Sequence, residues 1–380
     1  MIMSPRLRIN PASVLCFLSF TLMTTCQGPE KIDAPEVDVG KGFMSVLPMN
    51  EEDFFFFANI GWLPGKIFPC DHGGFLLSDV MKRVPVFCPA DMTITKIMAT
   101  DQVKHGYVDY GMTLSVNNGE FQIVMGHMSS LHTDIMAIAE AVEAECDTLV
   151  SMGSTYIHCL KWVNIHVAAG DTLGMAGGNP GQNGLDFGTF DKKRKIEFAT
   201  DRFDDYLYPY TVSPLDYFTD EICDILIPIC GFTLCEPNVV RMVPPVGGTV
   251  DFDIPGTAQG IWFKTEEPFS PVDPHMALVY HNVDPSIPIF SIGTGIPGIA
   301  QGCYTFDIKD TGTIDRPFHE VVPDDRIYSY NVWYHCWPPD FQPMVVLMQL
   351  TDASHLKIEK LDADAARPWQ FSDQAVLYER

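Results

Sequence analysis

The sequence predicts a mostly β protein of two domains, a β domain carrying one inserted helix followed by an antiparallel β-sandwich-like domain. Three observations point there. Short β-branched runs broken by Gly and Pro recur from Ile67 to Asp191. Alternating apolar and polar stretches fill the last third of the chain. The length of 380 residues fits two domains, and 46% hydrophobic residues suffice for real cores.

Taken in chain order, Arg6 and Arg8 precede an apolar run from Ser13 to Met23. It is too short for a mature membrane span and reads as a signal peptide over residues 1–25. Met23-Thr-Thr-Cys26 is a loose lipobox that would make Cys26 a lipid anchor, the ordinary alternative being cleavage nearby. The expected location is the periplasm or cell envelope, or the extracellular space, with membrane contact only through Cys26. Residues 26–60 read as a tether whose aromatic end, Phe54 to Phe57, docks on the first domain.

The first domain spans 61–202. Strand signals include Val84-Pro-Val-Phe, Thr93-Ile-Thr-Lys-Ile, Met112-Thr-Leu-Ser-Val and Phe121-Gln-Ile-Val-Met. From His132 to Leu149, Ile135, Ile138, Ala139, Val142 and Leu149 recur at helical spacing, which predicts the inserted amphipathic helix. Residues 203–235 hold several prolines without a sustained period and read as a connection. The second domain, 236–380, contains stretches such as Gly260-Ile-Trp-Phe-Lys and Met344-Val-Val-Leu-Met-Gln-Leu.

Charge and cysteines narrow the function. A net charge of −25 repels phosphate backbones and excludes nucleic acid as a partner class. Nine of the eleven cysteines lie beyond Cys26, and none forms a C-x-x-C pair. In an exported chain they read as disulfides, with Cys70–Cys88, Cys146–Cys159 and Cys303–Cys336 as plausible pairs among connectivities the sequence leaves open, and their odd number leaves at least one thiol unpaired or intermolecular.

Five fragments then follow one another in the first domain. They are Phe68-Pro-Cys-Asp71-His72-Gly-Gly, Val84-Pro-Val-Phe-Cys-Pro-Ala-Asp-Met-Thr-Ile, Val124-Met-Gly-His127-Met-Ser-Ser-Leu, Val167-Ala-Ala-Gly-Asp-Thr-Leu-Gly-Met-Ala-Gly177 and Gly184-Leu-Asp186-Phe-Gly188. Their order over roughly residues 60–195 resembles that of lysostaphin-type zinc peptidases, also called LytM or duplicated-hybrid-motif domains. The Gly-Asp hairpin also suits biotinyl and lipoyl carriers, but no modifiable Lys sits at its tip.

The resemblance implies a zinc metallopeptidase-like hydrolase acting on peptidoglycan cross-bridges or other peptides. Such chemistry needs three protein ligands and an open position for water. Position by position, His72 matches the family's first zinc ligand and His127 its assisting catalytic histidine. Leu76 stands where the family has its Asp ligand, Gly184 replaces the first His of the H-x-H element, and Asp186 replaces the second. The resemblance therefore marks His72 and Asp186 as metal positions and His127 as catalytic. Asp71 or Asp79 is available to supply the missing oxygen, and His72, Asp186 and His127 form another conceivable zinc set.

Plainer roles stand beside these. Isolated histidines are more often structural, and Asp71, Asp79 and Asp171 read as turn residues. Two other functions suit the chain. One is a catalytically inactive peptidase-like lipoprotein that binds envelope polymer or regulates a partner hydrolase, favoured by Leu76 and Gly184. The other is a β-rich glycan-binding or adhesion protein using Trp262, Trp333, Tyr334 and Trp337, although aromatics at strand positions more often fill cores.

Overall fold

A computed structural model describes residues 36–380 except 64–65, 103–104, 152–153, 232–238, 270–271, 336–343 and 362–366. The segment read as a signal peptide and Cys26 lie outside the described residues. The protein is mostly β, with a large sheet in the first half and a closed antiparallel barrel in the second.

The first sheet begins with β1 (Phe54–Ala58), β2 (Gly73–Leu77), β3 (Val84–Phe87), β4 (Met92–Gln102), β5 (Tyr107–Val116) and β6 (Phe121–Leu131). After the helix α1 (Thr133–Glu140) come β7 (Glu145–Ser151), β8 (Ser154–Val167), β9 (Thr172–Ala176) and β10 (Gly184–Asp191). Two short strands, β11 (Thr211–Val212) and β12 (Cys230–Gly231), flank α2 (Asp220–Leu226). The main path runs β12-β1-β2-β10-β6-β5-β4-β8-β7, with β11 on β10 and β9 bridging β3 and β6.

Alternation along the strands explains which side is core. Leu185 and Phe187 of β10 join Phe75, Ile123, Met125 and Phe218 in one buried cluster, leaving Asp186 to the opposite face. Phe75 and Phe218 meet the Phe187 ring at 5.7 and 5.9 Å.

Several expectations need correction. The aromatic run at the end of the supposed tether is strand β1 itself, paired with β2 and β12, because Phe54 and Phe57 face the core. The inserted helix stops at Glu140, since Cys146 and its neighbours are drawn into the β7–β8 hairpin. The connection contains α2, whose Ile222, Cys223 and Leu226 are buried. It also runs past 235 to the first barrel strand, because Gly248 still pairs with Ile60.

Of the expected disulfides, Cys146–Cys159 is formed, linking directly opposed residues of β7 and β8. Cys70 and Cys88 are free instead, because Cys88 Sγ donates to the Ala90 carbonyl at 3.0 Å while Cys70 Sγ rests on the His72 ring. Cys336 lies outside the described residues. Replacing both Cys146 and Cys159 by Ser should lower unfolding free energy by about 2–3 kcal/mol, the scale for so short a closed loop. A urea midpoint unmoved by the double change would mean the β7–β8 ladder alone holds the hairpin.

The antiparallel second domain closes on itself through β13 (Gly260–Lys264), β14 (Met276–Tyr280), β15 (Pro288–Ile292), β16 (Gly302–Thr305), β17 (Tyr328–Tyr334), β18 (Met344–Leu350), β19 (His355–Leu361) and β20 (Val376–Glu379). Trp262, Leu278 and Phe290 point into the barrel. Ile261, Phe263, Ala277, Val279 and Ile289 point outward and pack on Leu63, Ile67, Phe68, Phe203 and Tyr208. These strands are therefore apolar on both faces, one side filling the barrel and the other joining the two halves. No helix among the described residues is long and apolar enough to cross a membrane.

Candidate metal centre

Asp186 sits on β10 between Gly74 of β2 and Gly126 of β6, its direct cross-strand partners. Neither neighbour has a side chain, so the sheet face around the carboxylate is hollow. His72 and His127 reach into that hollow from either flanking strand.

His72 immediately precedes β2 and faces Gly188, where even a methyl group would stand 3.0 Å from His72 Cβ. Its carbonyl accepts from Trp62 Nε1 at 3.1 Å, and Trp62 O in turn accepts from Cys70 N at 2.9 Å. The loop is held from behind as well. Tyr208 Oη donates to Pro69 O, Ser291 Oγ donates to Lys66 O, and Phe68 stacks on His275 with rings 5.9 Å apart.

His127 arrives by a different device. Phe121, Ile123 and Met125 face the core, so strict alternation would turn residue 127 inward too. A β-bulge prevents it, because Gly126 and His127 together oppose Gly111 between the Tyr110–Met128 and Met112–Met125 pairs. His127 adopts φ +63° there, a left-handed conformation uncommon outside glycine. Met128 returns to the core and the imidazole points at Asp186.

The two rings are arranged alike. His72 Nε2 and His127 Nε2 lie 3.3 and 3.4 Å from the same Asp186 oxygen, Oδ2. Each Nδ1 is bonded to another carboxylate, His72 to Asp71 at 2.8 Å and His127 to Asp109 at 2.6 Å. Asp109 also accepts from Gln182 Nε2 at 2.9 Å. Asp186 is 4% exposed, and neither of its oxygens takes a well-aligned hydrogen bond from any described residue. A buried carboxylate in that state is normally the acceptor for something else.

Charges in the array support one another. Burial opposes the charged form of His72, but Cys70, Asp186 and Asp71 around the ring hold its pKa well above the ordinary value. Burial likewise opposes charge on His127, yet Asp109 and Asp186 outweigh it and push its pKa up to about 9. Burial would raise the Asp186 pKa, but His127, His72 and the more distant Lys66 hold it below normal.

No family model, curated protein or solved structure matches this chain. The donor set must speak for itself. Its residue types suit zinc, and each imidazole nitrogen lies 3.3–3.4 Å from the anionic oxygen, close to the roughly 3.3 Å between neighbouring ligands of a tetrahedral ion with bonds near 2.0–2.1 Å. The carboxylates on both Nδ1 atoms are the usual outer supports of metal-bound histidines.

The structure places the remaining candidates plainly. Asp71 is buried on His72 rather than solvated at a turn, because His72 Nδ1 holds it. Asp79 accepts from Met81 N in an exposed turn, and Asp171 accepts from Ala168 N in the hairpin before β9. Leu76 and Gly184 are cross-strand partners, so the two positions at which the resemblance expects an Asp and a His are vacated side by side. Leu76 packs there with Phe56 and Ala58. A Cβ at 184 would stand 2.7 Å from Phe75 O, so a histidine does not fit without moving β2.

Asp109 and Gln182 were missed in the sequence. The one available signal was an acidic residue within the otherwise apolar run Tyr107 to Leu114, on the parity that avoids the core.

Proposed function

We propose that this chain is an exported zinc-dependent hydrolase of lysostaphin type, acting on peptidoglycan cross-bridges or other envelope peptides. The carrying observation is the convergence of His72 Nε2 and His127 Nε2 on one oxygen of the buried Asp186, which takes no well-aligned hydrogen bond from any described residue. His72 and Asp186 are the residues that would hold the ion, which when bound supplies Lewis acidity and an acidified water. His127, fixed at Nδ1 by Asp109, presents Nε2 on the same side and is placed to hold or release a proton there. The early basic-then-apolar segment and the acidic surface support export, with Cys26 as the proposed lipid anchor.

Purified chain should carry one zinc per molecule by metal analysis, and His72→Ala should remove it. Folded, metal-free protein that cannot be loaded with added zinc would sink the hydrolase reading. A second reading, an inactive relative that binds polymer or a partner hydrolase, draws on the apolar filling at Leu76 and Gly184. Zinc-loaded protein without cleavage of peptidoglycan peptides would favour it. Reading the aromatics as a glycan platform loses Trp262, whose side chain lies inside the barrel, while Trp337 falls outside the described residues.

A further inference from the structure

Resting on that reading, a gap remains in the ligand set. With His127 reserved for proton transfer, His72 and Asp186 supply two ligands, and Leu76 cannot supply the third. Among the described residues, the tight cluster of potential ligand atoms is Cys70, Asp71 and His72, mutually within 4.8 Å and all buried. Asp71 is committed to His72 Nδ1, on the side of the ring away from Asp186. Cys70 is not so committed.

We infer that Cys70 is the third metal ligand, its thiolate replacing the carboxylate lost at Leu76. Cys70 and His72 flank a bend at Asp71 that lays the thiol against the imidazole. Cys70 Sγ lies 3.3 Å from His72 Nε2, and Asp186 Oδ2 lies 3.3 Å from the same nitrogen. Those separations approach the edges of a tetrahedron built on zinc–sulfur bonds of about 2.3 Å and zinc–nitrogen or –oxygen bonds of about 2.0–2.2 Å. Sγ is also 3.4 Å from Nδ1, so it rests over the ring, and ligation requires a rotation about its Cα–Cβ bond. The backbone does not have to move, because Gly61 N donates to Cys70 O and Cys70 N donates to Trp62 O.

Two independent facts aim this cluster at a cation. Asp186, more than nine-tenths buried, takes no well-aligned hydrogen bond from any described residue, and its Oδ2 stands 3.3 Å from His72 Nε2. Cys70 is 4% exposed and its thiol is free, as are those of Cys88, Cys223, Cys230 and Cys303, but it is the one whose Sγ lies on the imidazole that faces this carboxylate. A His, Asp and Cys set is softer than an all-nitrogen-and-oxygen one and favours zinc or cobalt over magnesium or calcium.

Cobalt(II) tests the assignment with a readout independent of activity. Full-length protein stripped with chelator and titrated with cobalt should bind one equivalent and show the intense near-ultraviolet band of a thiolate–cobalt bond. Cys70→Ser and Cys70→Ala should lose that band and weaken cobalt binding more than about 100-fold, beyond the usual effect of outer-shell changes. His127→Ala should keep the band. One equivalent of cobalt bound without the band, or a band surviving in Cys70→Ser, overturns the assignment of Cys70 while leaving the hydrolase reading standing. Failure of wild-type protein to bind cobalt or zinc overturns both. Because the wild-type spectrum alone can refute the thiolate, the test does not depend on how well the variants fold.

Discussion

Asp186→Asn should lower zinc affinity by more than about 100-fold, since it removes the one carboxylate that both imidazoles face. It should also cost stability in chelator-treated protein. At pH 6 both histidines are charged, their pKa values being raised in part by this carboxylate. Neutralising it leaves two cations held only by Asp71 and Asp109, a loss of about 3 kcal/mol, at the lower end for breaking a buried ion pair. At pH 10 the His127 part of the penalty should shrink, because that imidazole, with its pKa pushed up to about 9, is then mostly neutral. Competition titration reads the first effect and urea unfolding at the two pH values the second. An Asn variant that keeps stoichiometric zinc would remove Asp186 from the ligand set.

The second large effect is a pH dependence that reverses with metal. His127 titrates near pH 9 in the folded chain against 6.5 for an ordinary histidine. Its stabilisation is therefore fully present below about pH 6.5 and lost as pH rises through 9. The difference is worth on the order of 3 kcal/mol. Chelator-treated protein should lose that stability across the window, and His127→Gln should flatten the slope without abolishing it, because the His72 pKa is raised as well. With excess zinc the slope should reverse, because the ion binds the deprotonated site and displaces protons. Equal pH profiles for wild-type and His127→Gln would show that His127 is not charged in the folded chain.

Fold and site were legible to different depths. The strands of both halves followed from alternation and Gly/Pro punctuation, while the Cys146–Cys159 bridge was one of three plausible pairs among many possible connectivities. His72, His127 and Asp186 emerged from the order of five fragments, not from anything peculiar to each residue. What stayed hidden depends on register. A single extra residue at Gly126-His127 decides which way the imidazole points, and no period-2 count reveals a bulge. Asp109 reaches His127 across the strand pair, eighteen residues away in the chain. Leu76 and Gly184 read as two separate losses until their pairing shows one substitution accommodating the other. The helix from His132 was overdrawn because the disulfide strand after it carries enough apolar residues to prolong the helical period.

The outward face of the barrel bears on how such a chain can be divided. Ile261, Phe263, Ala277, Val279 and Ile289 close a core whose other half is the segment leading into Cys70, Asp71 and His72. Severed anywhere between residues 203 and 259, one fragment would carry a bare apolar wall and the other a loop without its backing. The two halves are thus not interchangeable modules that recombination could shuffle one at a time. The first half would have to be inherited, expressed and engineered together with the barrel that seats its histidine.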